Sequence, residues 1–170
     1  MNHLRLSFLR LTAALLVCLF CTQAWAADPK QNATVSFGQW MSSPPLDRWP
    51  NVSNTRFRNT HAMVPNQVTI KAGGSVNFIV SGLHNIAVYA DGTAPQDIDT
   101  GALVFTTGTP NDVPIIDDAT NRIYRGLDPT LQPIDRVEVV EFLTPGTYLV
   151  ICGIRPHFLG GMYGYVRVLP

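Results

Sequence analysis

The sequence predicts an all-β sandwich, and three observations carry that prediction. Short runs alternate apolar and polar side chains, as in Val68-Thr69-Ile70-Lys71 and Ser75-Val76-Asn77-Phe78-Ile79-Val80. A period of two is the mark of a strand with one buried face. Gly and Pro punctuate those runs, as in Ala72-Gly73-Gly74 and Thr144-Pro145-Gly146, where turns are expected. No window sustains helical periodicity, and there is no internal repeat or low-complexity run. Short strands joined by Gly/Pro turns make a sandwich.

The chain opens on a different kind of segment. Met1 to Arg10 carries Arg5 and Arg10 and no acid, Leu11 to Cys21 is apolar apart from Thr12, and Ala24-Trp25-Ala26 follows. A basic start, a short apolar run and an A-x-A site describe a secretory signal peptide cut after Ala26. The apolar run falls short of the roughly 20 residues that span a bilayer, which argues against a transmembrane anchor. Neither Cys18 nor Cys21 follows the small residue that lipoprotein processing would normally require. The expected mature unit is residues 27–170, a single exported domain. It keeps ten basic and twelve acidic residues, and that balance argues against nucleic acid as a partner. Cys18 and Cys21 leave with the signal peptide, so Cys152 stands alone beside His61, His84 and His157. An unpaired thiol in an oxidising compartment needs a reason, and metal coordination is one.

Taken in order, residues 27–32 are polar and read as a frayed terminus. Val35 to Trp40 alternates loosely as an opening strand, and Ser42 to Asn54, with Pro44, Pro45 and Pro50, reads as a surface loop. His61-Ala62-Met63 precedes Val64-Pro65-Asn66; His61 could be a ligand or a partner contact, and the reading taken is a solvent-facing loop histidine. Val68 to Val80 reads as two strands about a turn at Ala72-Gly73-Gly74. His84 then heads a strand running from Asn85 to Tyr89. Residues 91–135 are rich in Thr, Asp, Pro and Gly and hold eight of the twelve acids with no lysine. Only Gly101 to Thr106 and Arg122 to Leu127 resemble strands there, although so long a loop should hide some structure. This insertion reads either as a partner-docking element or as a solvated decoration. Val137 to Leu143, Gly146 to Ile151 and Tyr163 to Leu169 complete the strands.

The chemistry concentrates near the C-terminus. In Cys152-Gly-Ile-Arg-Pro-His157-Phe-Leu-Gly-Gly-Met162, a loop between two strands carries a thiol, an imidazole and a thioether at equal spacing. With His84 as a second imidazole, these are the donors of a His2Cys copper plane with a weak axial Met. Three other readings compete: a buried core cysteine, a structural zinc site and a Cys–His nucleophile pair. Zinc sites usually assemble four Cys or His ligands. A nucleophile pair lacks an Asn or Asp orienter and leaves Met162 unexplained, though Met162 could also serve as core packing.

The pattern Gly146-Thr-Tyr-Leu-Val-Ile-Cys152, then His157, then Met162-Tyr-Gly, with His84-Asn85 far upstream, resembles the cupredoxins. The ligand-loop spacing is similar to that of rusticyanin and auracyanin, and the resemblance covers residues 64–170. It implies a Greek-key β-sandwich with a long insertion before the C-terminal strands. Cys152, His84 and His157 would form the plane around one copper ion cycling between Cu(I) and Cu(II), with Met162 axial. Asn85, Gly153 and Ile154 would surround the ligands, Asn85 tying the two ligand loops together. Many relatives carry Ser or Thr after the Cys; Gly153 stands here, so Asn85 is expected to bond to backbone. Phytocyanins carry a disulfide that residues 27–170 cannot form, and a bacterial periplasmic member fits better.

The resulting expectation is a type 1 (blue) copper protein that carries single electrons between periplasmic redox partners. A c-type cytochrome, an oxidase or a periplasmic reductase would be such a partner, met transiently over Arg155, Pro156, Phe158 and Leu159. The alternative is a periplasmic copper-binding protein for trafficking or oxidase assembly, which exposed Met/His clusters would favour. Catalysis is not expected, because the three histidines of residues 27–170 cannot furnish a second copper centre.

Overall fold

The computed structural model describes residues 30–38, 61–106, 112–133 and 135–170. The expected signal peptide and the proline-rich loop at 42–54 lie outside the described residues. Ten strands and one short helix follow in order: β1 (Lys30–Gly38), β2 (Met63–Val64), β3 (Gln67–Ser81), β4 (Ile86–Tyr89), β5 (Leu103–Phe105), β6 (Pro114–Ile116), β7 (Arg122–Arg125), β8 (Asp135–Phe142), β9 (Gly146–Cys152), α1 (Arg155–Leu159) and β10 (Tyr163–Leu169). β1 begins earlier than its alternation suggested, so the polar residues from Lys30 onward are paired.

β3 decides the architecture. Its first half, Gln67 to Lys71, runs parallel to β10, whereas Gly74 to Ser81 pairs antiparallel with β8. β1 runs parallel to the same second half, its register jumping from Lys30–Ile70 to Asn32–Ser75. Ala72-Gly73-Gly74, expected to be a hairpin turn, is therefore a bend within one continuous strand. Gly73 takes a left-handed φ of +81°, and a side chain on Gly74 would collide with the carbonyl of Gln31. A glycine-permitted corner lets one strand pass from sheet to sheet. The first sheet holds β2, β1, the second half of β3, and β8; the second runs from the first half of β3 through β10, β9 and β4 to β7.

Two cores follow from this layout. Between the sheets, Val35 and Phe37 of β1, Val76 and Phe78 of β3, and Val140 and Phe142 of β8 pack against Ile86, Val88, Val150 and Val166. β8 alternates buried and exposed residues along its length, as an edge strand covered on one face should. β9 behaves otherwise: every residue from Tyr148 to Cys152 is buried. Its second face is covered by the described residues of the 91–135 stretch, which reads in sequence as docking element or decoration. β5 and β6 form a two-stranded ribbon, and Ile98, Leu103 and Ile116 join Ala87, Tyr89, Leu149, Ile151 and Phe158 in a second apolar cluster. β6 and the 3-10 turn at Pro95–Asp97 are the structure hidden in that stretch.

If the ribbon is a true second core, Ile116→Ala should cost about 2–5 kcal/mol. Urea midpoints of the two proteins measure this, and an unchanged midpoint would return the insertion to the status of decoration.

Candidate metal centre

Four sequence-predicted residues gather at one end of the sandwich. His84 lies two residues before β4, Cys152 ends β9, His157 sits within α1, and Met162 precedes β10. Ile86 pairs with Cys152 across the sheet, so the two strands deliver His84 and Cys152 side by side. The loop between Cys152 and Met162, expected to be irregular, contains the helical turn α1. The carbonyl of Ile154 accepts from the N–H groups of both His157 and Phe158, and that turn swings His157 back over Cys152. Met162 is fully buried; its carbonyl accepts from Cys152 N at 2.9 Å and its N–H donates to His157 O at 3.0 Å.

Three donor atoms converge. His84 Nδ1 and His157 Nδ1 are 3.2 Å apart, and each stands 3.6 Å from Cys152 Sγ. The point equidistant from all three lies about 2 Å from each, the length of a metal–imidazole bond and slightly short of metal–thiolate. One cation placed there would meet the lone pairs of two imidazoles and a thiolate, a donor set that fits copper.

The surroundings prepare these groups chemically. Burial pushes His84 down to about 3, helped by His157, His61 and Arg136; burial and then His61 lower His157 to about 4. Both imidazoles are therefore neutral near pH 7, as ligands must be. Burial pushes the Cys152 thiol up to about 12, against the backbone N–H groups of Asn85 and Ile154 and the charge of Arg136. The metal-free thiol thus keeps its proton, while the hydrogen bonds that would hold a thiolate are already aimed.

Backbone contacts fix each of these groups. Gly153 N donates to Asn85 O at 2.6 Å, joining the two ligand segments. The Asn85 side chain turns the other way, Nδ2 donating to the carbonyls of Gly126 and Leu127 at 3.0 and 2.8 Å. The side chain of Asn85 does bond to backbone, but to the 126–127 loop; the tie between the His84 and Cys152 segments is made by its main-chain carbonyl. A Cβ on Gly153 would collide with Asn85 Oδ1, so the glycine is a steric requirement. Ile116 N donates to Gly153 O at 2.7 Å, and Ile115 bridges Ile154, so the insertion clamps the loop directly behind the thiol. Arg136 Nη2 donates to His84 O at 2.7 Å while ion-paired to Glu138 at 2.6 Å, and Tyr124 donates to Glu138 at 2.9 Å. Gly38, at φ +114°, lies flush against the His84 ring, where a Cβ would stand 2.8 Å from two ring atoms.

Two expectations change. Phe158, predicted as a partner contact, is only 6% exposed and packs into the second core near Tyr163, because α1 turns it toward the ribbon. Arg155, Pro156 and Leu159 do face solvent. His61, read as a solvent-facing loop residue, is exposed yet belongs to the cluster. Its ring stacks on His157 at 3.7 Å and meets His84 edge-on at 5.6 Å. No local pattern marks it; long-range pairing of β2 with β1 places it there.

No family model and no curated protein matches the chain. Solved structures with a related chain path include reduced auracyanin from the photosynthetic bacterium Roseiflexus castenholzii (21% identity, TM-score 0.49, covering 84% of this chain and 100% of that one). Another is a fern plastocyanin (18%, 0.40, covering 79% and 98%), and a third is the copper protein rusticyanin (20%, 0.40, covering 81% and 78%). These neighbours are cupredoxins. At such identities no residue's role passes from a cupredoxin to this chain, and the centre rests on its own geometry.

Two outcomes are expected of the metal-free protein. Gly153→Ala should lose about 1–3 kcal/mol through overpacking against Asn85, measured by urea denaturation; an unchanged midpoint would mean that the contact yields freely. Stability should also fall with acid. The unfolded histidines bind protons near pH 6.5, while His84 and His157 in the fold resist until about 3 and 4. The stability they contribute is present above pH 6.5 and drains away as the pH falls from there through about 4 for His157 and about 3 for His84. His84→Gln should flatten that slope, and equal slopes in both proteins would contradict the assignment.

Proposed function

We propose that this chain is a type 1 copper protein of the cupredoxin kind, exported after removal of residues 1–26, which carries single electrons between periplasmic redox partners. The observation that supports this best is the convergence of His84 Nδ1, His157 Nδ1 and Cys152 Sγ within 3.2–3.6 Å of one another. His84, Cys152 and His157 would hold the ion, and Met162 would offer a weaker thioether donor. Copper bound there supplies one-electron exchange between Cu(I) and Cu(II).

The protein's own contribution is rigidity and access. The Asn85–Gly153, Ile116–Gly153 and Arg136–His84 hydrogen bonds hold the ligand backbones before any metal arrives. A site that need not rearrange between oxidation states keeps the barrier to electron exchange low. His157 is half-buried beside exposed Arg155, Pro156 and Leu159, a small patch suited to a brief encounter with a cytochrome, oxidase or reductase. The trafficking reading draws less support: Met63, which would have partnered His61 in an exposed Met/His cluster, is buried in the core.

Cu(II) added to the protein should produce an intense thiolate-to-copper absorption band that bleaches reversibly with reductant and is absent from Cys152→Ala. Copper uptake without that band, or uptake of Cu(I) alone, would move the protein to the trafficking class.

A further inference from the structure

We infer that His61 is a third imidazole ligand of this centre, closing the side that faces solvent. The inference rests on the copper reading above and adds a residue to it.

Placement is the first reason. One ring nitrogen from each of His61, His84 and His157 lies within 4.8 Å of the other two. Donors sharing one ion with bonds of about 2 Å stand at most about 4 Å apart, so closing the gap asks the His61 side chain to move by about 1 Å and its ring to turn out of the stack, aiming an in-plane lone pair at the shared point. The parallel stack on His157, with ring planes 20° apart, sets the His61 ring beside the point where the other ligands converge.

Restraint is the second. His61 is not on a free loop. Gly38 N donates to Ala62 O at 3.0 Å, Phe37 pairs with Met63 across β1 and β2, and Met63 is 3% exposed in the main core. Gly164 lies so close that a Cβ there would meet the Met63 sulfur at 2.7 Å. The residue two positions after His61 is therefore pinned in the core, and the imidazole is carried on a fixed strand end.

Chemistry is the third. The three imidazoles approach from different parts of the chain: His61 before β2, His84 before β4 and His157 in α1. A stack of neutral rings over one ligand needs no metal, but nitrogen atoms from three rings near one point make a donor set. Imidazole is a harder donor than thioether or thiolate, so its engagement favours Cu(II), and losing it should raise the reduction potential.

Pulsed EPR of the Cu(II)-loaded protein counts coordinated imidazoles through their remote nitrogens. Three are expected in the wild type and two in His61→Gly, with the third restored by added imidazole. Copper release to a competing chelator should quicken roughly tenfold or more in the variant, as losing a ligand costs at least what losing a ligand's support does. A count of two in both proteins would overturn the third ligand while leaving the thiolate band, and with it the carrier reading, in place. A count of three without that band would keep the ligand and remove the carrier.

Discussion

One hydrogen bond fixes the relation between the two halves of the site: Gly153 N to Asn85 O, at 2.6 Å. It continues the β4–β9 ladder one step past the Ile86–Cys152 pair, and so sets a thiol beside an imidazole from a segment 68 residues away. The bond is short because residue 153 has no side chain. A Cβ there meets Asn85 Oδ1, an atom that is buried and without a hydrogen-bond partner among the described residues. The amide tolerates this because its nitrogen makes two bonds to the 126–127 loop. Ladder, glycine and amide work as a unit.

The insertion serves that unit. A sandwich would leave the outer face of β9 wet, yet Leu149 and Ile151 are fully buried. β5 and β6 cover them, and β6 bonds to Gly153 through Ile116. The same stretch supplies the carbonyls of Gly126 and Leu127 to Asn85, and its Tyr124 steadies the Glu138–Arg136 pair that holds His84 O. Residues that look like decoration in sequence therefore contact both ligand segments.

What could be read from the sequence follows from how local each signal is. The final strand, Tyr163–Leu169, was legible because apolar alternation and flanking glycines act within a few residues. The gathering of Cys152, His157 and Met162 was legible because they lie on one short segment, and that of His84 because it heads a clear strand. The corner at Gly73 was misread because a turn and a sheet-to-sheet bend ask the same freedom of glycine; only the pairing of Gln67–Lys71 with β10 separates them. β6 was missed because its pattern is the continuous burial of a covered strand, not alternation. His61 carries no local mark at all, since β1–β2 pairing brings it to the site.

The burial of the donors runs as a gradient. His61 is exposed and His157 half-buried, while His84, Cys152 and Met162 are closed off. An ion approaching from solvent would meet neutral nitrogen before sulfur. Of the buried groups, the Cys152 thiol is the one that would have to shed a proton to bind an ion, since burial holds its pKa up to about 12. An entering ion would thus meet these groups in the order of their depth, the exposed imidazole first and the buried sulfur last.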